Sequence, residues 1–148
     1  MLAEIFTRYF HFVFIIVMSG ALMGEAFLLK AQMSKKELKT LAKLDALYGL
    51  SAVLVVAAGL TLWFGVGKSA VFYTQNPVFH LKLSLAILIG LISIYPTVFY
   101  LKKSKGTELN EQVQIPPNIQ KAVYLQLFLL ALIPMLAVLM AKGINIFE

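Results

Sequence analysis

The sequence predicts an all-α integral membrane protein, a four-helix bundle with both chain ends on the outer side of the membrane. Two observations predict this class. The chain has 148 residues, of which 60% are hydrophobic and only 14% are charged, whereas soluble domains have about 45–50% apolar and about 25% charged residues. Four separate segments are also long and apolar enough to cross about 30 Å of hydrocarbon.

Each predicted span follows from one apolar run and the breaks around it. The four spans cover residues 5–29, 47–66, 78–101 and 123–141 of a single transmembrane domain over residues 1–148. Runs such as LSAVLVVAAGL and LQLFLLALIPMLAVLM lack the alternation of polar and apolar residues that transmembrane strands require. The first span has no positively charged segment before it and contains Arg8, His11 and Glu25. We therefore expect it to be retained rather than cleaved as a signal peptide.

The loops predict the orientation. The first and third loops hold nine lysines: Lys30, Lys35, Lys36, Lys39, Lys43, Lys102, Lys103, Lys105 and Lys121. The opposite side of the membrane offers three basic residues, Arg8, Lys68 and Lys142. By the positive-inside rule the lysine-rich loops lie in the cytoplasm, so we expect a multi-pass protein of the bacterial inner (plasma) membrane. Lysines beside apolar runs indicate contact with the lipid bilayer and its anionic headgroups rather than with nucleic acid.

The composition narrows the chemistry that the chain can carry. It contains no cysteine, which excludes a thiolate nucleophile, a disulfide framework and cysteine-ligated metal clusters. The two histidines argue against a zinc site built from protein ligands alone.

A cationic group is predicted in the outer third of the spans. It comprises Arg8 and His11 in the first helix and His80 and Lys82 in the third, without a buried acid, because Glu4 and Glu148 are terminal. An uncompensated buried charge requires an anionic partner, and a flat apolar cofactor with carboxylates, such as haem or another porphyrin, has this chemistry.

The cofactor hypothesis assigns roles to individual residues. His11 is the metal ligand, His80 and Met140 are further candidate axial ligands at similar depth, and Arg8 and Lys82 pair with carboxylates or act in catalysis. The alternatives remain open. Arg8 and Lys82 can extend to the headgroups, His80 can be interfacial, His11 can form a structural hydrogen bond, and Met140 can serve packing alone.

Other polar and small residues are given structural roles. Glu25, Asp45 and Tyr48 lie toward the cytoplasmic end, where Glu25 either faces the bundle or pairs with Lys30. The Gly20-x-x-x-Gly24 pair suits close helix packing. Five aromatic residues are predicted to form a belt at the membrane interfaces: Trp63, Tyr73, Tyr95, Tyr100 and Tyr124.

Several ordered motifs carry a resemblance that covers nearly the whole chain. They are HFVFIIVMSGALMGEAFLL, LAKLDALYGLSAVLVVAAGL, FYTQNPVFHLKL, LISIYPT and ALIPMLAVLMAKG, which include the patterns D-x-x-YGL, NP-x-F-x-x-K and SIYPT. With these motifs the chain resembles a family of small four-helix bacterial membrane proteins of unknown function. The resemblance implies the fold and leaves the activity open.

A more distant resemblance is to the HemJ-type membrane protoporphyrinogen IX oxidases and to the CopD-type copper-resistance membrane domains. The oxidase family binds haem b and uses a histidine in its first helix and a lysine early in its third, so the resemblance implies such roles for His11 and Lys82. The arginine-rich entry to the second helix of the oxidases is replaced here by LAKLDALYGL. The resemblance therefore implies haem binding more strongly than it implies the oxidase activity.

Three functions follow as hypotheses. The leading hypothesis is a haem-binding protein that carries out redox chemistry on a porphyrin or quinone. The second is a non-catalytic accessory subunit of a larger membrane complex, or a homo-oligomer, that binds partner helices through Gly20 and Gly24. The third is a small metal or ion transporter in which Glu25 and Asp45 line a path.

Overall fold

The computed structural model describes residues 1–143, and four long helices account for most of them. In chain order the elements are α1 (Leu2–Leu28), β1 (Gln32–Ser34), α2 (Lys35–Thr61) with a π-helical turn (Leu62–Val66), α3 (Ala70–Thr74), α4 (Pro77–Lys103), β2 (Gln112–Gln114) and α5 (Pro117–Ala141). The helices α1, α2 with its π turn, α4 and α5 are each long and apolar enough to cross a membrane. The predicted four-helix fold is confirmed.

The largest difference from the predicted spans lies at the start of α2. This helix begins at Lys35, twelve residues before the apolar run that predicts the second span. A capping box at Ser34 explains the early start: its hydroxyl accepts a hydrogen bond from the Glu37 backbone amide, and the Glu37 carboxylate accepts one from the Ser34 amide at 2.8 Å. Such reciprocal capping satisfies two helix-terminal donors, so the helix extends through polar residues that hydropathy alone assigns to a loop.

The four long helices form a ring in the order α1, α2, α4, α5. The most extensive contacts join α1 to α2 and α4 to α5, and the two helical hairpins meet through α2 with α4 and α1 with α5. Because the number of spans is even, the last helix returns to the side where the first begins. We call this side the terminal end and the opposite side the lysine-rich end.

A two-stranded sheet closes the lysine-rich end. Strand β1 pairs antiparallel with β2, with Met33 opposite Val113, and Lys35 forms an ion pair with Glu111 beside the sheet. Beneath the strands lies an apolar cluster that we call the cap cluster: Met33, Leu38, Leu41, Tyr100, Ile115 and Ile119. The cap cluster separates the interior of the bundle from the lysine-rich surface.

Side-chain burial is concentrated in the half of the bundle near this cap. On α1 the buried residues run from Met18 to Ala26, and none of residues 1–17 is buried. On α2 the last buried residue before the π turn is Ser51. The lysine-rich half is therefore closely packed, whereas the terminal half is more open.

The aromatic belt prediction is partly wrong. Tyr95 and Tyr124 are exposed, as contact with lipid headgroups requires. Tyr73 and Tyr100 are only 7% and 0% exposed, because Tyr73 packs against Phe79 and Tyr100 belongs to the cap cluster. Position near a helix end does not distinguish a tyrosine that faces lipid from one that faces the bundle.

Candidate functional site

His11 lies in the terminal half, on the face of α1 that packs against α2. Its Nδ1 atom is 3.0 Å from the backbone carbonyl oxygen of Val55. One turn farther along α2 is Gly59, where a Cβ atom would come within 3.5 Å of the His11 Cε1 atom. Gly59 therefore forms part of the α2 surface beside the imidazole.

The hydrogen bond to Val55 fixes the tautomer of a neutral His11. A carbonyl oxygen can only accept, so Nδ1 carries the hydrogen and donates it, and the Nε2 atom keeps its lone pair. Histidines that ligate metals are oriented in this way, with the other ring nitrogen donating to a carbonyl or carboxylate. The structural hydrogen bond and the ligand role, which the sequence poses as alternatives, are compatible.

Arg8 is not the uncompensated charge that the sequence predicts. Its Nη2 and Nε atoms bond the Glu4 carboxylate at 2.7 and 3.1 Å. The two residues are four apart on α1 and therefore lie on the same helix face, which the prediction overlooked by treating Glu4 as a solvated terminal group. Glu148, the other acid considered for this region, lies outside the described residues.

Lys82 is the remaining cation of the group. It is half-buried near the start of α4, its ammonium lies 5.7 Å from the centroid of the Phe79 ring, and within residues 1–143 it has no ion-pair partner. Lys82 and Arg8 both lie close enough to His11 to act on it electrostatically. The structure therefore brings together three of the four predicted cationic residues.

Aromatic rings surround this cationic group. Trp63, in the π-helical turn, packs edge-on against Phe79 with ring centroids 4.7 Å apart, and the Tyr73 hydroxyl lies beside Arg8. The Trp63 indole nitrogen is buried, with no hydrogen-bond partner among the described residues. π-helical turns occur frequently at functional sites, and this one supports the terminal end of the bundle as a candidate site.

His80 and Met140 are not brought into the group. His80 is exposed, and its Nε2 atom lies 2.7 Å from the backbone carbonyl oxygen of Thr74. Met140 is partly buried near the end of α5, and no described contact joins it to His11. Their assignment as axial ligands stays a prediction.

A second polar group lies in the closely packed half, and its members come from α1, α2 and α4. Glu25 of α1 and Asp45 of α2 are only 1% and 5% exposed, and they lie near enough to interact electrostatically. Thr97 of α4 donates a hydrogen bond to the Asp45 carboxylate at 2.9 Å, and Tyr48 is buried next to both acids. The alternative pairing of Glu25 with Lys30 is wrong, because Lys30 bonds Glu37 at 2.8 Å.

Sequence reasoning missed one member of this second group. Tyr100 was assigned to the belt, yet its hydroxyl is directed at the Glu25 carboxylate, and no sequence signal distinguishes it from the other tyrosines.

Gln126, a polar residue that the sequence places within the fourth span, is buried on α5. It is 1% exposed and lies between Val123 and Leu130 on the buried face of its helix.

The two glycines of the Gly20-x-x-x-Gly24 pair have different surroundings. A Cβ atom at Gly24 would come within 3.4 Å of the Leu44 side chain of α2, whereas one at Gly20 would meet nothing within 4 Å. Gly24 therefore supports packing inside the bundle, and Gly20 is open at its surface. The assembly of this surface with a partner helix stays a prediction.

Comparison with known proteins places the chain in a family. Residues 3–145 match the family model described as "Predicted membrane protein (DUF2214)". Neither the curated proteins nor the solved structures give a significant match, and the distant resemblance to the HemJ and CopD types stays a prediction. Since the match spans nearly the whole sequence, the chain belongs to the DUF2214 family of predicted membrane proteins.

Proposed function

We propose that this protein binds haem b at the terminal end of the bundle, with His11 as an iron ligand, and acts in electron transfer with a porphyrin or quinone. The observation that carries the proposal is the 3.0 Å contact between His11 Nδ1 and the Val55 carbonyl oxygen. This contact presents an unprotonated Nε2 atom to a metal. A bound haem supplies one-electron redox chemistry, and the protein sets its position and surroundings.

The surroundings of His11 fit such a group in two respects. The terminal half has few buried side chains on α1 and α2, so a large flat molecule displaces little existing packing. Lys82 offers a positive charge without an ionic partner in the described chain, which suits a haem propionate or a substrate carboxylate. Arg8 contributes less, because its charge is already shared with Glu4.

The same proposal places the protein in the bacterial inner membrane with its lysine-rich end in the cytoplasm. His11 and Lys82 then lie toward the periplasmic surface. Electrons would be exchanged there with a carrier dissolved in the outer leaflet or bound at its surface.

Absorption spectroscopy of the purified full chain tests the proposal. We expect a Soret band and a sharp α-band after reduction with dithionite, either as isolated or after reconstitution with haemin. His11→Ala should abolish both bands. The matched control is Phe12→Ala, which shortens an exposed side chain next to His11 on the same helix and should leave the spectrum intact.

Two results would contradict the haem proposal. An unchanged spectrum in His11→Ala would mean that the ligand lies elsewhere. A featureless spectrum from a folded protein, even after reconstitution, would favour the accessory-subunit hypothesis, and partner capture would be the next step.

A further inference from the structure

Two carboxylates lie inside a membrane-spanning bundle without a cation to balance them. Glu25 and Asp45 are almost completely buried, and the ion pairs found among residues 1–143 involve Glu4, Glu37 and Glu111 instead. Two adjacent negative charges in a low-dielectric interior are strongly unfavourable. Some positively charged species must therefore accompany the pair.

The groups that lie beside the pair come from α2 and α4. Helix α2 contributes Tyr48 and α4 contributes Tyr100, both electrostatically coupled to the two acids. No lysine, arginine or histidine is among the described groups that act on Glu25 or Asp45.

The hydrogen bonds around the pair point to the missing species. Glu25 Oε1 is buried without a hydrogen-bond partner among the described residues, and the Tyr100 hydroxyl, although directed at the same carboxylate, forms no hydrogen bond of standard geometry with it. That hydroxyl can donate only one hydrogen, so it leaves the other lone pairs of the carboxylate unsatisfied. An ionised carboxylate only accepts, whereas a protonated carboxyl also donates, so one added proton turns an oxygen of the pair into a donor.

We propose that Glu25 and Asp45 form a proton-binding site in which the two carboxylates share one proton. A proton needs no additional space, and Glu25, Asp45 and the neighbouring Tyr100 are between 0% and 5% exposed. A metal ion fits less well, because no cluster of three or more His, Cys, Asp or Glu side chains suited to a metal is found in residues 1–143. Acidic residues inside membrane spans commonly serve as proton carriers.

The lysine-rich end is the nearer source of water for this site. Glu25 lies three residues before the end of α1, about 5 Å along the helix axis, and only the cap cluster lies beyond it. His11 is fourteen residues away on the same helix, about 21 Å along the axis. The proton site is thus separate from the proposed haem site and does not depend on it.

The chain offers an unusually direct test, because Asp45 is its only aspartate. Full-length protein labelled with ¹³C at the aspartate side-chain carboxyl shows one such carboxyl resonance, which can be followed against pH. We expect Glu25→Gln to move the titration midpoint of Asp45 by about one pH unit or more, as strongly coupled sites require. The matched control is Glu4→Gln, the same substitution on the same helix, which should leave the midpoint unchanged.

Infrared spectroscopy of the unlabelled protein provides the second measurement. The wild type should show a protonated-carboxyl absorption at neutral pH that shifts in deuterium oxide, and Glu25→Gln should lose it. Absence of this absorption in the wild type, or its survival in Glu25→Gln, would overturn the proposal. If Glu25→Gln does not fold, measurements on the wild type alone test the proposal. The protonated-carboxyl absorption in its infrared spectrum would support the shared proton. Titration of its Asp45 carboxyl resonance like that of a free aspartate would refute it.

Discussion

The two halves of the bundle differ in both charge and packing. The lysine-rich half is closely packed and encloses two acids, Glu25 and Asp45. The terminal half has no buried residue among the first 17 of α1, and Arg8, His11 and Lys82 meet there. A sealed acidic interior suits the smallest cation, whereas a more open cationic region suits a large anionic group. This difference underlies the two proposals, a proton at the lysine-rich end and a haem at the terminal end.

The sequence of α1 explains why the packing changes along the helix. Its second half contains Gly24 and the buried Ala21 and Ala26, and small residues let neighbouring helices approach closely. Its first half carries Phe6 and Phe12 on exposed positions, where large apolar side chains contact lipid instead of another helix. The same helix therefore contributes to a tight interior at one end and to a lipid-facing surface at the other.

The largest expected effect comes from weakening the packing of the lysine-rich half. Leu22 is 1% exposed within the core that joins α1, α2, α4 and α5. Leu22→Ala should lower the free energy of unfolding by about 2–5 kcal/mol, since it removes buried contacts and leaves a cavity. Reversible denaturation in mixed micelles measures this loss.

Ile16→Ala is the control for this packing prediction. Ile16 lies on the same helix but is 70% exposed, so lipid or detergent can fill the space that the substitution creates. We expect a loss within about 0.5 kcal/mol. Equal losses at the two positions would mean that Leu22 does not lie in a closely packed interior.

A smaller effect is expected from the hydrogen bond that holds Asp45. Thr97→Val preserves the shape of the side chain and leaves the Asp45 Oδ1 atom without its 2.9 Å donor. The expected loss in unfolding free energy is about 1–3 kcal/mol, the cost of an unsatisfied buried polar group.

Thr61→Val provides the matched comparison for Thr97. The Thr61 hydroxyl is exposed and donates to the Ala57 carbonyl of its own helix, so its loss should cost no more than about 0.5 kcal/mol. If the two threonine variants were equally stable, the Thr97–Asp45 hydrogen bond would not contribute to the free energy of unfolding.

The sequence predicts the helices well because membrane insertion depends on apolar length. The first, third and fourth predicted spans all lie largely within α1, α4 and α5. The early start of α2 does not follow from apolar length, and the sequence offers a helix over KKELKTLAKL only as an alternative to a loop. The capping at Ser34 stabilises this polar helical segment. The β1–β2 pairing does not follow from apolar length either, because it joins two three-residue strands that are distant in the sequence.

The candidate sites were predicted less completely, because helix rotation is determined by packing. Periodicity places His11, Met18 and Glu25 on one face of α1, and the structure directs that face inward, with Met18 and Glu25 buried. Periodicity alone does not show that Tyr100 faces Glu25 or that Val55 accepts a hydrogen bond from His11. The ion pair of Arg8 with Glu4 was within reach of the sequence, because the two are four residues apart.

The smallest expected effect is on haemin binding when the two cations near His11, Lys82 and Arg8, are replaced one at a time. Lys82→Gln should weaken haemin binding about tenfold, equivalent to about 1.4 kcal/mol, because it removes a charge that no described carboxylate neutralises. Arg8→Gln should weaken it less than about threefold, since Glu4 already shares the Arg8 charge. Haemin titration of both variants measures the difference. A larger loss in Arg8→Gln than in Lys82→Gln would show that Arg8 leaves Glu4 to hold the ligand, and would shift the anion-binding role from α4 to α1.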